Sequence, residues 1–283
     1  MTTKITLTKE EIVLKYKELK SIRRLASYLH ISQLRMEKYF RDNHLERNSK
    51  RKYTLNDMFF SNDTPESFYL AGFIAADGNI YDNIDSKNKQ HNELSISLKA
   101  GDILHLEKIK TIIGSDHKLY KRLIKNSKRN VKYKDTVTYN LSIWAPQFIN
   151  DLRRFNIGHR KSLTYDVPNW LMDHKLVSHF LRGYFDGDGS IVLDKLALHA
   201  KTRQARLHIR GTKDFLHNFH SILYTNCNLK TQHKKISKDS GTGSLQYTGN
   251  PNICKIMNYL YDNATIYLDR KRARYQEIID NSK

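Results

Sequence analysis

Residues 181–190 read LRGYFDGDGS and residues 70–79 read LAGFIAADGN, the same shape 111 positions apart. Each closes an apolar run with Asp-Gly. Pro65 and Glu66 suit the start of one helix, and Asp173 is the expected cap of the other. Gly72 and Gly183 hold the same place in the two runs. A glycine inside a helix costs about 1 kcal/mol relative to alanine, which makes sense where another backbone must come close. Ala71, Ala75 and Ala76 in one run and Gly187 in the other widen the small surface. The spacing therefore predicts two helices packed nearly backbone to backbone, with Asp77 and Asp188 emerging side by side. Like charges at that range raise each other's pKa unless a cation intervenes. Two carboxylates with few neighbouring ligands suit Mg²⁺, which keeps waters and completes its shell with substrate phosphates.

Outward from the two runs, the chain divides into halves that echo each other. HNELSISLKAGD in the first and ARLHIRGTKD in the second predict a strand, a short turn and a helix with an early acidic residue, Asp102 and Asp214. Alternation supports the strands. Leu94, Ile96 and Leu98 oppose Ser95, Ser97 and Lys99. Leu141 and Ile143 oppose Asn140 and Ser142, and Leu207 and Ile209 oppose Arg206, His208 and Arg210. One face is apolar; the other carries groups that hydrogen-bond base edges and phosphates. Candidate nucleic-acid contacts are Ser95, Ser97, Lys99, Asn140, Arg206, His208, Arg210, Gln232, Lys234 and Gln246. Each half closes on a basic cluster, one holding Lys161 and the other Lys271.

Composition points the same way. Lys and Arg number 49 against 29 Asp and Glu, a net charge of +20, which favours a polyanionic partner. At 39% hydrophobic the chain can build cores. No apolar run approaches the roughly 18 residues of a membrane span. The N-terminus MTTKITLTKEE lacks a signal core, and Cys227 and Cys254 form no CxxC pair. An intracellular setting is expected: the cytoplasm of a bacterial or phage-infected host, or an organelle.

Residues 6–45 predict three short helices, with Thr8 and Ser32 as caps. They resemble a helix-turn-helix, with small Ala26 between the helices and Gln33 and Arg35 at the start of the recognition helix. The turn position that the motif usually gives to glycine is His30. Residues 47–64 read as a basic linker.

LAGFIAADG and LRGYFDGDG together resemble the two motifs of a LAGLIDADG homing endonuclease in its single-chain form, over about residues 65–283. The resemblance implies an α+β fold, two pseudo-symmetric αββαββα halves forming a DNA-binding saddle. The divisions are 1–46 for a small all-α helix-turn-helix domain, 47–64 for the linker, 65–172 for the first half and 173–283 for the second. It further implies a site-specific endonuclease that hydrolyses both DNA strands with Mg²⁺, for which Mn²⁺ or Ca²⁺ substitutes. Its metal set would be Asp77, Asp188, Ala76 and Gly187, with Lys161 and Lys271 as catalytic lysines and Gly72 and Gly183 packing the motif helices. A monomer on a long, near-asymmetric double-stranded target and an intron-homing role come from the same resemblance. The sequence departs from the motif at Ala75, where the second copy has Asp186; that position resembles a structural cap. An RNA-splicing maturase, with intron RNA as partner, or a non-cleaving DNA-binding regulator is the alternative on this scaffold. An EF-hand loop at DGDGS fails, because its sixth residue is Ile191 and its twelfth Ala197.

Overall fold

The computed structural model describes residues 7–19, 21–43, 45, 53–84, 90–125, 135–195, 203–229 and 242–280. The chain forms two compact units, Met1–Lys52 and Tyr53–Lys283. In the first, helices α1 (Lys9–Leu19), α2 (Ile22–Tyr28) and α3 (Gln33–Asp42) close over Ile12, Tyr16, Leu25, Ala26, Met36 and Phe40. Ser21 and Ser32 accept the Arg24 and Arg35 backbone N–H groups, so side chains satisfy donors the helix starts leave free. Thr8 caps α1 by accepting from Glu11 N. His30, in the turn, sits at φ 51, the left-handed region that a glycine would occupy without strain.

The second unit begins earlier than the sequence suggests. Residues 53–64 are not linker: Phe59 and Phe60 are buried in the main core, and the Phe60 ring meets Phe148 at 4.7 Å. Two adjacent aromatics outweigh the basic run before them, because burying each ring removes a large apolar area from water. The first half then runs α4 (Pro65–Asp77), β1 (Gly78–Ile84), β2 (Gln90–Lys99), α5 (Ile103–Ile112), β3 (Tyr120–Ile124), β4 (Thr136–Trp144) and α6 (Pro146–Asp151). Thr64 and Ser67 cap α4 reciprocally. A short helix α7 (Asn169–Met172) leads into the second half: α8 (Val177–Asp188), β5 (Gly189–Lys195), β6 (Arg203–Gly211), α9 (Lys213–Cys227), β7 (Gly243–Thr248), α10 (Asn250–Tyr261) and α11 (Asp269–Asp280). Asp173 does not cap α8. It ends α7, and Leu176 precedes α8 without a side-chain cap.

The fold is mixed helix and sheet with two antiparallel sheets, ordered β1-β2-β4-β3 and β5-β6-β7. The first half thus has the expected αββαββα order. The second shows three described strands; Gln232 and Lys234 lie outside the described residues. Leu94, Ile96, Leu141, Ile143, Leu207, Ile209 and Leu245 are buried, which fixes which face of each sheet points inward. No described helix is long and apolar enough to cross a membrane.

Candidate active site at the helix seam

The two motif helices meet through their glycines. A Cβ on Gly72 would collide with the Phe180 carbonyl, and one on Gly183 with the Tyr69 carbonyl. Each glycine therefore admits the backbone of the other helix. Near the helix ends a Cβ on Gly187 would strike the Ala76 methyl and lie 3.5 Å from Cγ of Asp77. The seam runs to the last residues of both helices, and Asp77 and Asp188 end α4 and α8 beside each other.

This is a hostile place for two anions. Both stand at helix C-termini, where the macrodipole is negative. Both residues are exposed along one edge, while the neighbouring helix crowds the other, with a Cβ on Gly187 lying 3.5 Å from Cγ of Asp77. Burial, followed by the Asp77 charge, pushes Asp188 up to about 6. Burial also raises Asp77, against the pull of Lys271, Lys161 and Arg270. A cation between them would relieve the mutual repulsion.

One buried lysine serves each half. Lys161 donates to the Gly78 carbonyl, one residue past Asp77. Lys271 donates to the Phe185 carbonyl and, at 2.7 Å, to that of Asp186. Burial lowers both, Lys271 to about 8, while the carboxylates oppose the shift. Each ammonium carries three donors, so at least one per lysine is not used by these carbonyls.

Among the described residues no group of three or more His, Cys, Asp or Glu converges on a metal position. The two carboxylates therefore fit a cation that takes its remaining ligands from water and phosphate, as Mg²⁺ does, rather than a closed protein cage. Ala76 and Gly187 carry no ligating side chain; only their backbone carbonyls could contribute.

Asp186 has a different task. It is buried, accepts from the Tyr69 and Tyr261 hydroxyls, and accepts the Leu268 N–H at 2.8 Å, just before α11. One turn earlier, buried Arg182 donates to the Leu260 and Ile266 carbonyls at 2.9 and 3.0 Å. Asp186 is thus a structural anchor, and the cap expected at that motif position is observed. Sequence reasoning missed Arg182, Tyr69 and Tyr261 as a network, since the Asp186 partners lie 75 to 117 residues away. It also missed Arg270, whose Nε lies 3.1 Å from both Asp102 carboxylate oxygens, joining the second half to the first. Aspartate early in one helix and arginine before Lys271 were visible, but nothing local pairs them.

The polar sheet faces carry the remaining candidates. Ser95 and Ser97 each donate to Asn140 Oδ1 at 2.7 Å, so these three form one bonded cluster on the first sheet. Lys99 is exposed on the same face, opposite Thr138. On the second sheet Arg206, His208 and Arg210 alternate outward, with Gln246 opposite His208. Arg210 also bears on Asp188, lowering its pKa. Gln33 and Arg35 sit in the first turn of α3, in the other unit, and Gln33 donates to Glu37 at 2.9 Å.

No family model and no curated protein matches the chain. Similar solved structures are LAGLIDADG homing endonucleases. The homing endonuclease I-WcaI bound to its DNA recognition sequence is 18% identical, with 78% of this chain and 91% of that chain covered and a TM-score of 0.49. The LAGLIDADG meganuclease I-AabMI bound to uncleaved DNA is 13% identical, with 77% and 90% covered and a TM-score of 0.48. I-SmaMI bound to uncleaveable DNA is 16% identical, with 77% and 89% covered and a TM-score of 0.47.

Proposed function

We propose that this chain is a site-specific DNA endonuclease of the homing type, cutting both strands of a long, near-asymmetric target as a monomer. The observation that carries the reading is the reciprocal glycine contact that brings Asp77 and Asp188 together, each with a buried lysine beside it. The net charge of +20 and the outward polar faces of both sheets suit a DNA duplex.

Asp77 and Asp188 would hold a divalent cation, Mg²⁺ by its preference for carboxylate, water and phosphate oxygens. When bound, such an ion would supply polarisation of the phosphodiester and a lowered pKa for an attacking water. The protein's own groups do the positioning. Lys161 and Lys271, fixed by backbone carbonyls, offer their spare N–H donors to phosphate oxygens as negative charge develops. Lys271 near 8 can also hold or release a proton at Nζ around neutral pH. The outward faces of β2, β4, β6 and β7 would set the register on the duplex. The N-terminal unit would lay α3, through Gln33 and Arg35, against flanking DNA as a helix-turn-helix.

The test is cleavage of a supercoiled plasmid carrying a target recovered from a randomised library. Asp77→Asn and Asp188→Asn should each lower double-strand cutting at least about 10³-fold, in line with loss of a main electrostatic group. Affinity for the same DNA should stay within a few-fold. Either variant cutting both strands at the parental rate sinks the assignment.

A further inference from the structure

Pairing aligns Tyr81, Glu93 and Trp144 across three adjacent strands, in one row on the outward face of the first sheet. The direction of that face is fixed on both sides of Glu93. Leu94 is fully buried, and Asn92 lines a pocket with Pro146, Gln147 and Ile149 on the inner side. Tyr81, whose ring meets His159 at 6.4 Å, is 47% exposed and Trp144 45%, so two large rings are about half exposed on either side of the carboxylate. Residues directly opposite on paired strands bring their Cβ atoms within about 5 Å, close enough for the rings to flank the carboxylate and restrict it.

Glu93 is the single carboxylate among the described side chains on the outward faces of the two sheets. The other described outward side chains are neutral or basic. An anion there repels phosphate, so on a phosphate-tracking surface it costs affinity unless it meets a donor. A duplex presents one such donor in its major groove that a carboxylate reads well: the exocyclic amine at N4 of cytosine. Aromatic rings on either side suit the flat, partly apolar base edges and a neighbouring thymine methyl.

We propose that Glu93 is a specificity-determining residue that accepts a hydrogen bond from cytosine N4, with Tyr81 and Trp144 confining its carboxylate. This rests on the endonuclease reading and adds the identity of one base contact.

The test is the cleavage-site profile of the full chain on a randomised DNA library, with the parent, Glu93→Gln and Glu93→Ala compared. The parent should show one position where cytosine is favoured on the order of tenfold or more, the discrimination of a good base contact. Glu93→Ala should flatten that position and leave the others unchanged. Glu93→Gln should move the preference there from cytosine to adenine, because the amide pairs with adenine N6 and N7. An alanine profile identical to the parent's overturns the proposal and leaves the endonuclease reading standing. So does a gain in cutting of all sequences alike, which would make Glu93 only a repeller of phosphates. A parent that cuts no member of the library overturns the endonuclease reading, and the Glu93 contact with it.

Discussion

The two motif helices share a seam but not an interior. At matching positions α4 has Ala71 and Ala75, where α8 has Arg182 and Asp186, and all four are buried. In α8 the charged pair ties the helix to the connection between α10 and α11: Arg182 holds the carbonyls of Leu260 and Ile266, and Asp186 holds the Leu268 N–H. In α4 the alanines make no such ties. The segment after β4 is instead held by rings, with Phe155 meeting Phe68 at 5.3 Å and Trp170 at 5.4 Å. One duplicated architecture is therefore braced differently at its motif helices. A buried hydrogen-bonded charged pair ties α8, whereas α4 has none and leans on an aromatic cluster that Arg154, paired with Asp63 at 2.7 Å, joins from outside the helix. The exposed features, Asp77 and Asp188, remain the same. Action on two strands, as proposed, would constrain the carboxylates, whereas the bracing is free to differ so long as the helix ends stay put.

The largest expected effect tests that division. Asp186→Ala removes the partner of two buried hydroxyls and a helix start, and leaves the buried Arg182 and Lys271 charges less compensated. Loss of one member of a buried charged network costs about 3–5 kcal/mol. Ala75→Asp should cost a similar amount for the opposite reason, since no donor set awaits a carboxylate there. Urea unfolding of the 53–283 unit within the full chain would measure both. If Asp186→Ala stays within about 0.5 kcal/mol, as a surface change does, the two halves are not braced differently.

Much of this is legible in the sequence. Glycine at matching helical positions forecasts a backbone contact, because no other residue leaves room for one, and Gly72 and Gly183 meet that forecast. Strand alternation fixed the inward faces for the same reason: a slip of one residue would bury serine and lysine. What could not be read were partners distant in sequence. Phe59 and Phe60 looked like the end of a basic linker because their burial depends on Phe148, about ninety residues on. Asp173 resembled a cap by its place before an apolar run, but α8 starts four residues later. The Asp186 network and the Arg270–Asp102 pair need the folded chain, since tertiary proximity alone joins them.

A smaller effect concerns the ionisation of the two centres. Asp188 near 6 must lose its proton to hold a cation, so cutting should fall about tenfold per pH unit below that value. Raising the metal concentration should move this acid limb to lower pH, because proton and cation compete. Above about 8 Lys271 loses its proton, and cutting should fall again. Burial lowers Lys161 as well, so scored strand by strand an alkaline limb should appear on both strands. A strand that keeps its full rate above about pH 9 would show that its lysine proton plays no part.

The smallest effect addresses the tie between the halves. Arg270, adjacent to Lys271, takes both oxygens of Asp102, and Lys108 pairs with Asp269 at 2.5 Å on the same helices. The positions related by the repeat are Arg160 and Asp214. Both are exposed, Arg160 stands at φ 56, and no ion pair joins them among the described residues. The Arg270 side chain is 57% exposed and that of Asp102 17%, so water reaches the pair from the arginine side and its contribution to stability is about 1 kcal/mol. Its consequence should lie in placement, because Arg270 bears on Asp77 and steadies the helix that carries Lys271. Asp102→Asn should therefore slow one strand a few-fold more than the other and let nicked plasmid accumulate, while Asp214→Asn leaves the strand ratio unchanged. A general loss of stability would slow both strands together, so the ratio separates placement from folding. Equal slowing of the two strands by Asp102→Asn would reduce the cross-half pair to a surface contact.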